Sequence, residues 1–223
     1  MPRGGRSIES GRVYHIISRF VAKEWFIKSE LERNCYVSLL GGAMAQTDWR
    51  LLSYAIMSSH LHFGLVAGDD PLVEWMRPLH TRFARWMNEQ RERIGAVFVR
   101  GPNVIEIRSD GVGRMIDYIH RNPERAGVVR NANDSNWTSQ RAYAGLGHQP
   151  AWLDVASGLE LVGMSRSEFA VWLENARTDV TQLDRVRAHP KPRPGQPKKQ
   201  KPLGLPRVLF VAGVGFEPTT FGL

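Results

Sequence analysis

Hydrophobic and polar residues alternate in some stretches of the chain and recur with helical spacing in others. Alternation over residues 12–20 predicts a strand, with His15 and Arg19 on the same face. Residues 51–66 are mostly apolar and rich in strand formers, and they predict a strand that carries two histidines near its end. Residues 95–108 hold two short apolar alternations around Gly101-Pro-Asn103, which predict a bent strand or a hairpin.

In the segments between these strands, the apolar residues recur with helical spacing. Residues 29–45 predict a helix that Ser29 caps, and residues 71–93 predict an amphipathic helix with Pro71 in its first turn. A third helix is predicted over residues 114–121, and Pro123 must end or kink it before a further short helical turn.

The pattern divides the chain into three parts. We predict a main α+β domain over residues 11–150 and a small helical appendix over residues 151–189, which includes the capping pattern Ser165-x-x-Glu168. Residues 190–223 are basic and rich in proline, and are typical of an extended, disordered tail. The role of residues 203–223 has no physical explanation in the sequence.

Composition narrows the class of protein. A length of 223 residues with 42% hydrophobic residues suits a globular domain with an appendage. The single Cys35 excludes an internal disulfide framework and a multi-cysteine zinc site. No apolar run approaches the roughly 18 residues that span a bilayer, and the N-terminal residues lack the apolar centre of a signal peptide. We therefore expect a cytoplasmic protein that does not bind membranes.

The charge of the chain indicates its partner. A net charge of +8 and an isoelectric point near 10.1 favour a polyanion, most commonly a nucleic acid. Part of the excess lies in residues 191–223, which hold six Lys or Arg residues and one Glu. A DNA-binding surface on the main domain must therefore arise from local clusters, and the residues that we predict to contact DNA are His15, Arg19, Arg82, Arg85, Arg100 and Arg121.

Two histidines one residue apart are the first candidate for chemistry. On a strand, His60 and His62 point to the same side, while Leu61 and Phe63 face the opposite side. Two imidazoles on a rigid strand supply half of a divalent-metal site. The pair is equally compatible with polar residues that end a strand, so the remaining ligands must come from elsewhere in the chain.

The predicted third helix supplies candidates for a nucleophile and a further ligand. Tyr118 and Asn122 are four residues apart and share one helix face if the helix extends that far. A tyrosine can act as a covalent nucleophile, and an amide oxygen suits Mg²⁺ or Mn²⁺. Alternatively, Tyr118 is a core residue with its hydroxyl at the rim, and Asn122 caps the turn that Pro123 begins.

The order of these motifs resembles a known family. Four segments are similar to those of REP-associated tyrosine transposases: Gly11-Arg-Val-Tyr-His-Ile-Ile-Ser-Arg19, Met57-Ser-Ser-His-Leu-His62, Tyr118-Ile-His-Arg-Asn-Pro123 with Arg125-Ala-Gly127, and Trp137-Thr-Ser139 with Tyr143. These are single-tyrosine transposases with a His-hydrophobic-His motif. The resemblance covers roughly residues 11–150. The chain departs from it at Ser58-Ser59, where the family usually has Pro-Asn, and at Phe98-Val-Arg-Gly101, where it usually has Phe-Gln-Gly-Arg.

The resemblance implies a fold and a reaction. It implies a ferredoxin-like antiparallel sheet with helices packed on it, and metal-dependent cleavage and joining of single-stranded DNA at hairpin-forming repeats. His60, His62 and Asn122 would bind Mg²⁺ or Mn²⁺, and Tyr118 would become joined to the 5′ phosphate. The protein would act on single-stranded or hairpin DNA as a monomer or homodimer.

Two other functions remain open at the level of sequence. The altered motif flanks and the basic tail are compatible with a protein that binds DNA or RNA hairpins without cutting them. A metal-dependent hydrolase that activates water is the third reading, although the sequence lacks the carboxylate cluster that such a site normally has.

Overall fold

The computed structural model describes residues 8–175 of the chain. The predicted tail and the last part of the predicted appendix lie outside the described residues. The described strands are β1 (Val13–Arg19), β2 (Arg50–Ile56), β3 (His60–Val66) and β4 (Asn103–Ile107). The described α-helices are α1 (Glu30–Met44), α2 (Leu72–Gln90), α3 (Val112–His120), α4 (Asn122–Arg125), α5 (Gln140–Tyr143), α6 (Val155–Val162) and α7 (Arg166–Asn175).

The four strands form one antiparallel sheet in the order β2-β3-β1-β4. Helix α1 connects β1 to β2, and helix α2 connects β3 to β4, which is the ferredoxin-like arrangement. The predicted fold class, an α+β protein with helices on an antiparallel sheet, is therefore confirmed. No helix within residues 8–175 is long and apolar enough to cross a membrane.

The predicted single strand over residues 51–66 is wrong, because the chain folds there into the hairpin β2–β3. Residues 57–59 form the turn, and the Met57 amide donates to the His60 carbonyl across it at 3.0 Å. Apolar Met57 and two serines give no glycine or proline signal for this turn. As a result, His60 and His62 lie at the start of β3, next to the turn.

One face of the sheet is an apolar core covered by α1 and α2. Phe63 on β3 lies against Tyr36 of α1, and the Tyr36 ring meets Phe83 of α2 edge-on at 4.9 Å. Helix α1 begins where predicted, because Ser29 and Glu32 form a reciprocal capping box. Helix α2 is close to its predicted bounds, although it accommodates Pro78 in its interior.

The opposite face of the sheet receives α3. The Cα of Gly64 lies directly under this helix, since an added Cβ would stand 2.5 Å from Ser53 Oγ and 2.7 Å from Met115 Cε. A side chain at position 64 would therefore force the Ser53 hydroxyl and the end of the Met115 side chain to shift. The glycine thus leaves room for side chains of α3 beside the strand that carries the two histidines.

The later segments complete this second layer. Of residues 95–108, only β4 is a strand, and the part before it makes a single bridge between Phe98 and Phe20. Helix α6 packs on α3 and β2. The predicted capping pair at the start of α7 is formed, because Ser165 and Glu168 exchange hydrogen bonds.

The domain boundaries at residues 150 and 189 stay predictions.

Candidate active site

The two histidines and the tyrosine meet between β3 and α3. The rings of His60 and His62 lie 4.6 Å apart at 82°, on the side of the sheet that α3 covers. The Tyr118 ring lies edge-on to His62, with 5.9 Å between the ring centroids. Residues from two elements that are distant in sequence therefore converge at one place.

Asn122 reaches the same place because the helix breaks after His120. Helix α3 ends there, and α4 begins at Asn122 with Pro123 in its first turn. The Asn122 Nδ2 donates to the Tyr118 carbonyl at 2.7 Å, and the Asn122 side chain also hydrogen-bonds His60. With its nitrogen held by the helix, the amide presents its oxygen toward His60.

The environment of His60 favours its neutral form. Burial lowers its pKa, the positive charge of Arg19 lowers it further, and the hydrogen bond with Asn122 opposes both. Arg19 stands directly opposite His60 in the pairing of β1 with β3. The hydroxyl of Ser59 is 2.9 Å from the His60 Nδ1, so the turn also orients this ring. A neutral imidazole is the form that binds a metal ion.

His15 lies beside His62 in the same layer. The His15 Nε2 is 2.9 Å from the His62 Nδ1, and the two rings are stacked with 5.0 Å between centroids. The side chain of His15 is completely buried. A buried ring offers no surface to a phosphate, so the DNA contact predicted for His15 does not fit this structure.

The other predicted DNA contacts fall at different distances from the site. Arg19 is exposed next to His60, and Arg100 follows Val99, whose amide donates to the Arg19 carbonyl at 2.8 Å. Arg82 and Arg85 are exposed on α2, which packs on the opposite face of the sheet. Arg121 bonds within the protein, since its guanidinium contacts Asp117, Glu124 and the Leu173 carbonyl.

Arg125 is a site residue that was absent from the sequence prediction. Its guanidinium carbon lies 5.0 Å from the centroid of the Tyr118 ring, and the side chain is exposed. Its spacing held a signal, because Arg125 is seven residues after Tyr118 and three after Asn122, and residues at these spacings share a face where the backbone is helical. This arginine lies where it can attract a phosphate that approaches Tyr118.

The donor set fits a divalent metal ion. His60 and His62 provide imidazole nitrogens, and Asn122 beside His60 provides an amide oxygen, a mixed set that suits Mn²⁺ and is acceptable to Mg²⁺. Among residues 8–175, no group of three or more His, Cys, Asp or Glu side chains could hold a metal ion. In the described part of the chain, the two histidines and the amide are thus the best candidates for a metal site.

Comparison with known proteins gives a match in fold. The chain is similar to a REP-associated tyrosine transposase whose structure was solved with a bound REP hairpin, at a TM-score of 0.53 and 16% identity, over 70% of this chain and 93% of that one. It also matches a candidate transposase from Deinococcus radiodurans R1 at a TM-score of 0.38 and 16% identity, over 54% of this chain and 97% of that one. No family model and no curated protein matches the chain. The chain therefore has both the motifs that resemble the family and a fold similar to that of a REP-associated tyrosine transposase.

Proposed function

We propose that the protein is a transposase-like enzyme that cleaves and joins single-stranded DNA with Tyr118 as its nucleophile. The observation that carries this proposal is the convergence of His60, His62, Tyr118 and Asn122 between β3 and the α3–α4 segment. These residues come from the same motifs that resemble the family, and the fold agrees with that resemblance.

His60, His62 and Asn122 would hold Mg²⁺ or Mn²⁺. A bound divalent ion acts as a Lewis acid that polarises a phosphate oxygen. The chain itself favours a neutral imidazole at His60, because burial and the charge of Arg19 lower the pKa of this side chain. It also fixes Asn122, whose nitrogen is tied to the carbonyl of Tyr118.

Tyr118 would attack the phosphorus of a phosphodiester. The tyrosine oxygen forms a bond to phosphorus and gives its proton to solvent, while the bond to the 3′ oxygen breaks and that oxygen takes up a proton. The products are a 5′-phosphotyrosine and a free 3′ hydroxyl. A 3′ hydroxyl that attacks this linkage releases the tyrosine and joins two strands. Arg125 and Arg19 would neutralise charge on the phosphate on either side of the reacting groups.

The substrate in this proposal is the single strand beside a DNA hairpin. The solved transposase of similar fold is bound to a REP hairpin. Arg19, Arg100 and Arg125 give this chain exposed positive charge near the candidate site, which suits a flexible phosphate backbone. All four site residues lie in one chain, so a monomer contains the whole candidate site.

The decisive experiment uses the variant Tyr118→Phe. The full-length protein is incubated with single-stranded hairpin oligonucleotides and Mn²⁺ or Mg²⁺, and the covalent product is scored on a denaturing gel. We expect Tyr118→Phe to reduce the adduct by about 1,000-fold or more, because no other group replaces the nucleophile, and to leave hairpin binding intact.

A matched control removes a different tyrosine hydroxyl. Tyr54→Phe makes the same chemical change in the strand β2, where the ring packs on Trp152 instead of on the histidines. It should form adduct at the rate of the wild type. An adduct that persists in Tyr118→Phe would show that another residue is the nucleophile. DNA that is bound but uncut by the wild type with either metal would favour a hairpin-binding protein without catalytic activity.

A further inference from the structure

His15 and His62 form a hydrogen-bonded pair, of which the proposed reaction assigns a role only to His62. Both side chains are buried, at 0% and 3% exposure, and 2.9 Å separates the Nε2 of His15 from the Nδ1 of His62. In the pairing of β1 with β3, His15 stands opposite Gly64 and His62 stands opposite Ile17, so the two imidazoles are diagonal neighbours. Long side chains at diagonal positions are within reach of each other.

This hydrogen bond couples the tautomers of the two rings. A neutral imidazole has one N–H donor and one acceptor nitrogen. In a bond between the two rings, one nitrogen must therefore donate and the other accept. If the His62 Nδ1 carries the proton, it donates to the His15 Nε2, and the His62 Nε2 keeps its lone pair. That lone pair is the group that a metal ion requires.

We propose that His15 is a positioning residue that holds His62 in the tautomer and orientation that bind the metal ion. Metal-binding histidines commonly donate their second N–H to a protein acceptor, and loss of that partner typically weakens metal affinity by about 10- to 100-fold. The inference rests on the proposed function, because it takes His62 as a metal ligand. It adds a residue that touches neither the metal ion nor the DNA.

A second contact links His15 to the nucleophile. The Tyr118 ring lies edge-on to His15, with 5.7 Å between centroids, and edge-on to His62 at 5.9 Å. The stacked pair of imidazoles therefore forms the surface against which Tyr118 packs. One buried residue on β1 thus contacts both a candidate ligand and the candidate nucleophile.

The test separates hydrogen bonding from packing at position 15. His15→Gln places an acceptor oxygen near the position of Nε2, whereas His15→Phe keeps a ring of similar size that cannot accept a hydrogen bond. Mn²⁺ affinity of the full-length protein is measured by calorimetry. We expect the dissociation constant to rise by about 10- to 100-fold in His15→Phe and to stay within about threefold of the wild type in His15→Gln.

A second readout does not depend on any variant. Nitrogen-15 NMR of the wild-type protein reports which nitrogen of His62 carries the proton, and we expect protonation at Nδ1 both before and after addition of diamagnetic Mg²⁺. Protonation at Nε2 in the Mg²⁺ complex would overturn the inference even if His15→Phe failed to fold.

The remaining outcomes distinguish this inference from the proposed function. Wild-type affinity for Mn²⁺ in a folded His15→Phe variant would overturn the role of His15 and leave the proposed metal site intact. Failure of the wild type to bind Mn²⁺, or binding that survives the double variant His60→Ala and His62→Ala, would overturn both.

Discussion

The two faces of the sheet are built from alternate residues of the same strands, yet they bury opposite kinds of side chain. On β1, Ile16 faces the helices α1 and α2, while the neighbouring His15 faces α3. On β3, Phe63 belongs to the apolar core, and His62 belongs to the candidate site. At these four positions both faces exclude water, so the difference between them is one of chemistry and not of exposure.

This contrast shows how the fold provides stability and chemistry at positions one residue apart. The α1–α2 face buries large apolar rings, whose removal from water stabilises the fold. The α3 face buries imidazoles that must be satisfied by each other or by neighbouring polar groups. We therefore expect substitutions on the first face to alter stability most, and substitutions on the second to alter chemistry most.

The largest expected effect on stability is at Phe63. Phe63→Ala should lower the free energy of unfolding by about 3–5 kcal/mol, because it leaves a cavity beside Tyr36. Tyr118→Phe on the other face should change it by less than about 0.5 kcal/mol, while adduct formation is lost. Urea denaturation of both variants measures the difference. Equal losses of stability in the two variants would contradict the division between the faces.

An intermediate effect is expected at Gly64, where the histidine strand meets α3. Gly64→Ala should lower the free energy of unfolding by about 1–3 kcal/mol, because the new methyl group overlaps Ser53 and Met115. It should also slow adduct formation, because α3 carries Tyr118. Denaturant unfolding and the gel assay measure the two effects.

Gly42 provides the matched control for this substitution. It lies on α1 with nothing within 4 Å of an added Cβ, so Gly42→Ala should be neutral or raise stability by about 0.5–1 kcal/mol. If Gly64→Ala behaved like Gly42→Ala, the close approach of α3 to β3 would be in doubt.

The smallest effect concerns pH and a half-buried histidine on the α1–α2 side. His80 stacks on Phe98 with 4.1 Å between ring centroids, and burial lowers its pKa to about 4. The unfolded chain, with a histidine pKa near 6.5, binds more protons than the folded protein. The stability that His80 contributes is therefore complete above pH 6.5 and declines as the pH falls toward 4.

The variant His80→Gln isolates this contribution. Between pH 6 and pH 5, the free energy of unfolding should fall by about 1 kcal/mol less in the variant than in the wild type. Other titrating groups contribute equally to both slopes, so their effect cancels in the comparison. One of them is the buried His120, because burial lowers its pKa to about 3. Parallel slopes would show that His80 is not buried in its neutral form.

Much of the fold was predictable, because local patterns and caps agree with the final elements. The alternation of residues 12–20 gave β1, and the capping box at Ser29 gave the start of α1. The turn at residues 57–59 was missed, because apolar strand formers continue to its edge and its geometry depends on pairing between β2 and β3. Short-range pattern carries little information about such pairing.

The candidate site was predictable in part for a related reason. Spacing placed His60 with His62, and Tyr118 with Asn122, since each pair lies within one local element. The contact between His15 and His62 depends on the register of β1 against β3, which local spacing does not encode. By contrast, the pair of Arg121 with Asp117, four residues earlier, is a contact that helical spacing does encode.

The separation of the site into two local halves has a consequence for the order of folding. The hairpin β2–β3 closes through a three-residue turn, so the strand that carries both histidines is fixed by local contacts. Tyr118 and Asn122 lie more than 50 residues later and arrive only when α3 docks over Gly64, which closes a much longer loop. A nascent chain that has formed only the hairpin holds two imidazoles and no nucleophile. Under the proposed function, a partly folded protein would therefore lack the group that cleaves DNA.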